Sequence, residues 1–251
     1  MAEPGTALVN MEEELQKQAL AIASRISAPS GDRIRVTNAK TFKFPDGTEK
    51  AGPIDAVIVD FAAANFYYTT PYQEDNIQPP DCFAMGLVAS DLAPSANLPA
   101  ERREAEICVV CPHNQFKSAS NGRGKACRNT YLLALLPPDA TEDTPLMMLS
   151  VSPTAIKPFE ELVNVIARKF SGPPMRAVVR IGFDPTVSYA SLRFDTVNVL
   201  PNANIALAFK RQAEARTRLL VEPDLTMPEV QPPVPTKGAP RGVIRQGGIK
   251  R

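Results

Sequence analysis

Four cysteines, all within residues 82–127, constrain this chain more than any other feature of its sequence. They are spaced Cys82-x25-Cys108-x2-Cys111-x15-Cys127. A Cys-x-x-Cys turn presents two thiolates about one edge of a tetrahedron apart, and two further thiolates complete the shell that structural Zn²⁺ prefers. The pattern therefore predicts a structural zinc site with Cys82, Cys108, Cys111 and Cys127 as ligands.

Three alternatives to this ligand set stay open at the level of sequence. One is a redox Cys-x-x-Cys accompanied by two unrelated cysteines, although the Ser/Gly/Lys-rich stretch that follows is poor helix material for such a motif. Another is a pair of disulfides, which the absence of a recognisable secretory signal disfavours. In the third, His113, the single histidine, replaces one cysteine as a ligand.

Cations and glycines surround the last cysteine, and aromatic residues occur on both sides of the cysteine pair. Binding of a single-stranded nucleic acid needs cations for phosphates and flat rings for bases. Successive side chains of a strand point to opposite faces, so the run Phe66-Tyr67-Tyr68 should bring at least one ring to the surface. We predict nucleic-acid contacts from Lys117, Arg123, Lys125, Arg128, Phe66, Tyr67, Tyr68, Tyr72 and Phe116.

Composition limits the classes of function. The net charge of +1 over 251 residues does not indicate a polyanion partner, so any nucleic-acid site must rest on local charge. No apolar run approaches the roughly 20 residues that span a membrane, and the N-terminus lacks a leader pattern. We therefore expect a soluble cytoplasmic protein.

The order of predicted elements indicates a mainly β protein with helices, of the α+β class. Alternating apolar residues predict strands over 34–44, 54–68, 130–136, 146–151, 177–183 and 192–199, with a helix over 153–170. A helix between the third and fourth strands is the order found in an OB barrel, an antiparallel Greek-key fold. A zinc-ribbon-like insertion at 82–127 would interrupt this OB-like barrel, and a β-sandwich with two helices is the alternative fold.

Three regions follow from this pattern. Residues 1–30 are predicted to form an N-terminal arm and helix, and residues 31–220 the OB-like domain with its zinc-binding insertion, ending in a C-terminal helix over 202–220. Residues 221–251 are Pro-rich and end in basic residues without an acid, so we expect a disordered basic tail.

Four phrases resemble a group of tailed-bacteriophage proteins regarded as single-stranded DNA-binding or replication-associated. They begin at Pro80 (PDCF), Cys108 (CVVCPHNQ), Gly122 (GRGKACRN) and Leu149 (LSVSPT). The resemblance covers about residues 50–200. It implies an OB-type barrel with bound Zn²⁺. It also implies sequence-independent binding of single-stranded DNA in phage replication or recombination, in the host cytoplasm, with replication proteins such as a polymerase as possible partners. The basic C-terminus departs from the acidic tail common in single-stranded DNA-binding proteins.

The residues also bear on two other classes of function, an enzyme and an adaptor. An enzyme is disfavoured, because the lone histidine has no nucleophile motif around it and Gly122-Arg123-Gly124-Lys125 is too short for a phosphate-binding loop. A zinc-ribbon adaptor that docks on a polymerase is the alternative to DNA binding.

Overall fold

The computed structural model describes residues 32–70 and 78–225. The predicted N-terminal helix, Tyr72 and the end of the tail lie outside these residues. The described chain is mixed α+β and is dominated by a strongly curled, half-barrel sheet.

Residues 32–70 and 78–225 form nine strands and three α-helices. The strands are β1 (Arg33–Val36), β2 (Thr41–Lys43), β3 (Glu49–Ala51), β4 (Ile54–Tyr67), β5 (Cys82–Gly86), β6 (Arg128–Leu136), β7 (Met147–Val151), β8 (Ala177–Phe183) and β9 (Leu192–Val199). The helices are α1 (Ile156–Phe170), α2 (Asn202–Lys210) and α3 (Gln212–Leu219). The sheet order is β3-β2-β1-β7-β6-β4-β8-β9, with β5 also paired to β4.

Strand β4 organises the sheet. It pairs antiparallel with β6 along one side, and with β8 and then β5 along the other. An irregularity between Ile58 and Asp60 leaves Val59 unmatched against β6. One extra residue bends a strand and reverses which side chains face each side of the sheet. Ile58 and Phe61 therefore both face the concave side, while Asp60 faces the convex side and pairs with Arg216 of α3.

Each side of the sheet has its own core. On the concave side α1 packs through Phe159, which lies edge-on to Phe61 and Phe194 at centroid distances of 5.1 and 5.6 Å. On the convex side α2 and α3 cover the sheet with small and aliphatic residues such as Ala208, Ala215 and Leu219. The residues of both cores are buried, so the helices cover the middle of the sheet. The end of the sheet near Tyr67 is covered instead by the chain between β4 and β6.

Several sequence predictions are confirmed and others are corrected. Strands over 54–68, 130–136, 146–151, 177–183 and 192–199 are present within a residue or two of their predicted bounds. The single strand predicted over 34–44 is instead the hairpin β1–β2, whose turn places Lys40 in the left-handed region with φ 58°. The predicted helix over 202–220 divides into α2 and α3 at Arg211.

The predicted antiparallel barrel is present in the coarser form of a strongly curled half-barrel sheet, which is compatible with a β-barrel. The ladder leaves β9 at one edge and β3 at the other, and β1 pairs parallel with β7. Side chains complete the enclosure instead. The ring of Phe42 in β2 stacks on Phe183 of β8 at 4.6 Å, and Lys40 Nζ donates to the carbonyl oxygen of Asp184 at 3.2 Å.

Candidate functional site

Residues 82–127, here called the cysteine module, connect β4 to β6. Apart from β5, the module is built of short 3₁₀ turns and irregular chain. Cys82 is the first residue of β5, opposite Tyr67, and Cys127 directly precedes β6, whose first residue lies opposite Phe66. The pairing of β4 with strands on both sides thus places the two isolated cysteines at the same end of the sheet.

Backbone hydrogen bonds fix the Cys-x-x-Cys turn in the same place. The Cys108 amide donates to the Leu92 carbonyl oxygen at 2.8 Å, and the Cys111 amide donates back to the Cys108 carbonyl oxygen at 3.3 Å. The Cys127 amide donates to the His113 carbonyl oxygen at 2.8 Å. The four cysteine side chains line one small cavity of about 20 Å³.

All four cysteines are buried, each about 8% exposed, and none forms a disulfide. Within residues 32–70 and 78–225, no group of three or more His, Cys, Asp or Glu side chains has the mutual arrangement that would hold a metal ion. The thiols therefore share a cavity without forming a preorganised ligand cluster. The donor chemistry nevertheless fits Zn²⁺, since four thiols line that space, together with the carboxylate of Glu104, which contacts His113.

Burial raises the pKa of three of these thiols, Cys82, Cys108 and Cys127. It is the first cause in each case, and for Cys127 it combines with the other three sulfurs to raise the pKa to about 12. A buried thiol whose pKa is raised stays protonated at neutral pH and is a poor nucleophile. Within the Cys-x-x-Cys pair this applies to Cys108, which disfavours the redox interpretation.

His113 and Tyr67 contact each other beside the thiols. Their rings stack with centroids 4.1 Å apart and planes 16° apart, and His113 Nε2 lies 3.2 Å from Glu104 Oε2. The histidine is thus engaged by a carboxylate and a ring. Because His113 covers one face of Tyr67, this ring is a poor stacking platform for a base.

The predicted basic loop follows the Cys-x-x-Cys turn and depends on left-handed backbone. Gly122 and Gly124 have φ of 68° and 76°, where a side chain would be strained, and Lys117 has φ 72°. The Lys117 amide donates to the Gly124 carbonyl oxygen at 2.6 Å and closes the loop. The side chains of Lys117 and Arg123 are exposed.

Phe116 and Lys125 form the face of this loop that points toward the sheet. Phe116 is 78% exposed, and Lys125 Nζ lies 5.5 Å from the centroid of its ring. Lys125 also donates to Asn114 Oδ1 at 3.1 Å. Exposing an aromatic ring to water is unfavourable, and this ring gains little packing beyond the cation over it. It is therefore more readily explained as a contact surface than as part of the core.

Between this loop, the concave ends of β4 and β6, and the start of α1 lies a larger cleft of about 690 Å³. Rings and aliphatic groups form much of its wall, including Phe116, Tyr131 and Leu92. Its polar lining is mainly amides and cations, including Asn65, Asn114, Asn129, Lys125 and Lys157.

A smaller cleft of about 400 Å³ opens on the convex side of the same sheet end. Strand alternation sends Phe66 and Tyr68 to this side and Tyr67 to the other. Tyr68 is 43% exposed, as the sequence predicted for one ring of the three. Arg128 and Thr130 line both clefts and so stand at the rim between them.

Residues 221–223 line the smaller cleft, and Leu225 still packs against the buried cluster around Phe83. The Glu222 carboxylate accepts hydrogen bonds from Ser95 Oγ at 2.7 Å and Asn97 Nδ2 at 2.8 Å. Residues 226–251 of the expected tail lie outside the described residues.

The structure thus brings together most of the predicted contact residues. Phe116, Lys125 and Arg128 line the larger cleft, Phe66, Tyr68 and Arg128 line the smaller one, and Lys117 and Arg123 project from the loop. Sequence reasoning missed Asn65, Asn129 and Tyr131. The available signal was the lone asparagine near the end of the apolar run IDAVIVDFAAANFY, because a buried amide in such a strand needs polar partners.

No family model, curated protein or solved structure matches this chain. Among the described helices, none combines the length and apolar character required to cross a bilayer. The proposals below therefore rest on the geometry of the site.

Proposed function

We propose that this protein binds single-stranded DNA without sequence preference, across the end of the sheet where the cysteine module joins β4 and β6. The observation that carries the proposal is the convergence of exposed rings and cations around Arg128. Phe116 stands on one side of this residue and Tyr68 on the other, with Lys117, Arg123 and Lys125 nearby on the glycine-containing loop.

The chemistry of this surface is what a single strand requires. Phosphates are held by cations, and exposed π-faces stack bases of any identity, each at roughly 1–3 kcal/mol. The overall charge of the chain is close to zero, so the cations at this end act locally. Binding should weaken as salt rises, because each phosphate contact releases a counterion.

The topology supports an OB-like interpretation of the domain. Strands β4, β6, β7, β8 and β9 occur in the order of the five OB strands, with α1 between the third and fourth. The cysteine module then occupies the connection between the first and second strands, one of the two loops with which OB folds bind oligonucleotides. In a closed barrel β9 would pair with the outer edge of β7. Here β1 occupies that edge and pairs with β7 in parallel.

In this proposal Zn²⁺ shapes the binding loop and takes no part in chemistry. The four thiolates of Cys82, Cys108, Cys111 and Cys127 would draw together around the ion and leave no open coordination position. The buried, unlinked thiols that share one cavity support this role. Metal analysis of the purified chain should find about one zinc per molecule; absence of metal together with four titratable thiols would remove zinc from the proposal.

A fluorescent dT oligonucleotide tests the function directly. We expect binding at low salt, with an affinity that falls steeply as salt is raised. Reversing the charges of Lys117, Arg123 and Lys125 to Glu should weaken binding by at least tenfold at low salt, which is about 1.4 kcal/mol. The same reversal of Lys50, Arg168 and Lys169, which are exposed and line neither cleft, provides a control with an equal change in net charge.

If the control reversal weakens binding as much as the loop reversal, the contact surface is wrong even though the protein binds DNA. If the wild-type chain binds no oligonucleotide at low salt, the function itself is wrong.

One observation favours the alternative of an adaptor for a replication or transcription polymerase. Val109 and Val110, between the paired cysteines, are 57% and 64% exposed, and Ile107, Leu87 and Val88 are also exposed on the module. Clustered apolar side chains at a surface often mark contact with another protein. Absence of DNA binding, together with lost polymerase binding in a Val109→Asp, Val110→Asp variant, would favour this alternative.

A further inference from the structure

The larger cleft has the size and composition of a small-ligand site rather than of an open groove. Its volume of about 690 Å³ falls within the range of about 300–1,000 Å³ found for such sites. It lies on the concave side of the sheet end, beneath Phe116, and a strand that only follows the loop and the rim at Arg128 would leave it unfilled.

The aromatic walls of the cleft are suited to a flat heterocycle. Tyr131 is held in place by Phe159, whose centroid is 5.2 Å away, and by a hydrogen bond from its hydroxyl to Glu160 Oε1 at 3.0 Å. Burial and this carboxylate raise the pKa of Tyr131 to about 12, so the ring remains neutral. Phe116 stands at the mouth, where it can cover a planar group that enters.

The amides in the cleft carry both donors and acceptors, as base edges do. Asn129 Nδ2 donates to Oδ1 of Asn65, which lies directly opposite on β4 and is only 6% exposed. Within the described residues this is the only hydrogen bond of the Asn129 side-chain amide. Its Oδ1 atom and its second Nδ2 hydrogen therefore remain for a ligand. Asn114 is fixed by donating to the Cys108 carbonyl oxygen at 2.8 Å.

Cations lie at the opening. Lys125 and Arg128 line the side toward the loop, and Lys157 lines the side toward α1. A group with a neutral, flat, hydrogen-bonding body and an anion at one end would satisfy the walls, the amides and the rim together. A nucleotide has this chemistry, and a free nucleotide or a nucleotide within a strand would both supply it.

We propose that the larger cleft binds one nucleobase that has left the stack of a bound single strand, with its phosphate at the rim against Lys125 and Arg128. This inference rests on the proposed function, since it assigns the base to a strand already held by the loop. The protein would thus hold one nucleotide in a defined place while the neighbouring ones lie on the open surface.

The test fills the cleft without touching the cations. Ala89 is exposed, opens a 3₁₀ turn and lines the cleft, so Ala89→Trp places a bulky ring inside it. Ala100 is exposed, opens a similar 3₁₀ turn and lines neither cleft, so Ala100→Trp is the matched control. Each variant is titrated with a dT strand of about 16 nucleotides and with an abasic strand of the same length, which keeps every phosphate.

We expect Ala89→Trp to weaken binding of the dT strand by about tenfold and to leave the abasic strand within about twofold of wild type. Ala100→Trp should leave both affinities unchanged. Equal weakening of both strands by Ala89→Trp, or no change in either, would overturn the base site while dT binding by the wild-type chain still supports the proposed function.

If the wild-type chain binds neither strand, the proposed function fails separately. Titration with thymidine and adenosine monophosphates then distinguishes the source of the ligand. Binding of either that Ala89→Trp abolishes supports the cleft as a site for free nucleotides, and absence of such binding rejects it.

Discussion

Replacing Phe116 by Ala gives the sharpest test of how the loop binds DNA. A base stacked on an aromatic ring contributes about 1–3 kcal/mol, and about 1.4 kcal/mol corresponds to tenfold in affinity, so the variant should bind dT about 5- to 150-fold more weakly. Folding should hardly change. The ring is 78% exposed and its visible interaction is with Lys125, so the free energy of unfolding should fall by no more than about 1 kcal/mol.

Fluorescence anisotropy with a labelled dT strand, at one fixed salt concentration, measures the affinity, and urea unfolding measures the stability. Phe209→Ala is the matched control, because Phe209 is 69% exposed on α2 and lines neither cleft. Its affinity for DNA should equal that of the wild type. An unchanged affinity in Phe116→Ala, or an equal loss in Phe209→Ala, would refute the assignment of the ring.

Three further predictions concern the core, an ion pair and the metal. Phe159→Ala should lower the free energy of unfolding in urea by about 3–5 kcal/mol, because the ring is 1% exposed at the centre of the concave core. The hydrogen bond from Arg180 lowers the pKa of Asp55, so this pair stabilises the fold above about pH 4 and loses its contribution as pH falls through the folded-state pKa. Arg180→Met should therefore slightly lower the urea midpoint of unfolding at pH 7, and lower it less at pH 3. Chelation of a bound metal should increase amide hydrogen exchange within residues 87–127 and leave exchange in β4, β6 and β8 slow.

Periodicity of side chains predicted most of the sheet but not its closure. Alternation is clear from Val179 to Phe183 in β8 and from Leu192 to Asp195 in β9, and the sequence predicts the bounds of both strands well. The turn between β1 and β2 contains no Gly or Pro, so no residue in it marks the point where the alternation of apolar and polar side chains ends. The left-handed conformation of Lys40 is stabilised by contacts with carbonyl oxygens of Asp184 and Val187, which are distant in sequence.

Some features of the site likewise follow from the local sequence, and others from contacts between residues distant in sequence. Alternation along Phe66, Tyr67 and Tyr68 was enough to predict that one ring would reach the surface. It was not enough to predict that His113 would cover Tyr67, or that the unmatched Val59 would turn Asn65 toward the concave side. The larger cleft depends on this placement of Asn65 and on its hydrogen bond with Asn129 across the sheet, so the sequence could identify its loop residues but not its amides.

Convergence of the cysteines follows from strand register rather than from a metal. Cys82 lies opposite Tyr67 on one side of β4, and Cys127 precedes the residue opposite Phe66 on the other side. The backbones of two strands that flank a third are about 10 Å apart, so side chains and irregular chain must bring the sulfurs closer before four of them can share one ion. The sheet can therefore bring the sulfurs to one cavity but cannot gather them into a shell. The irregular chain of residues 87–127 must supply the remaining movement, and for this reason loss of metal should loosen the module while the sheet stays folded.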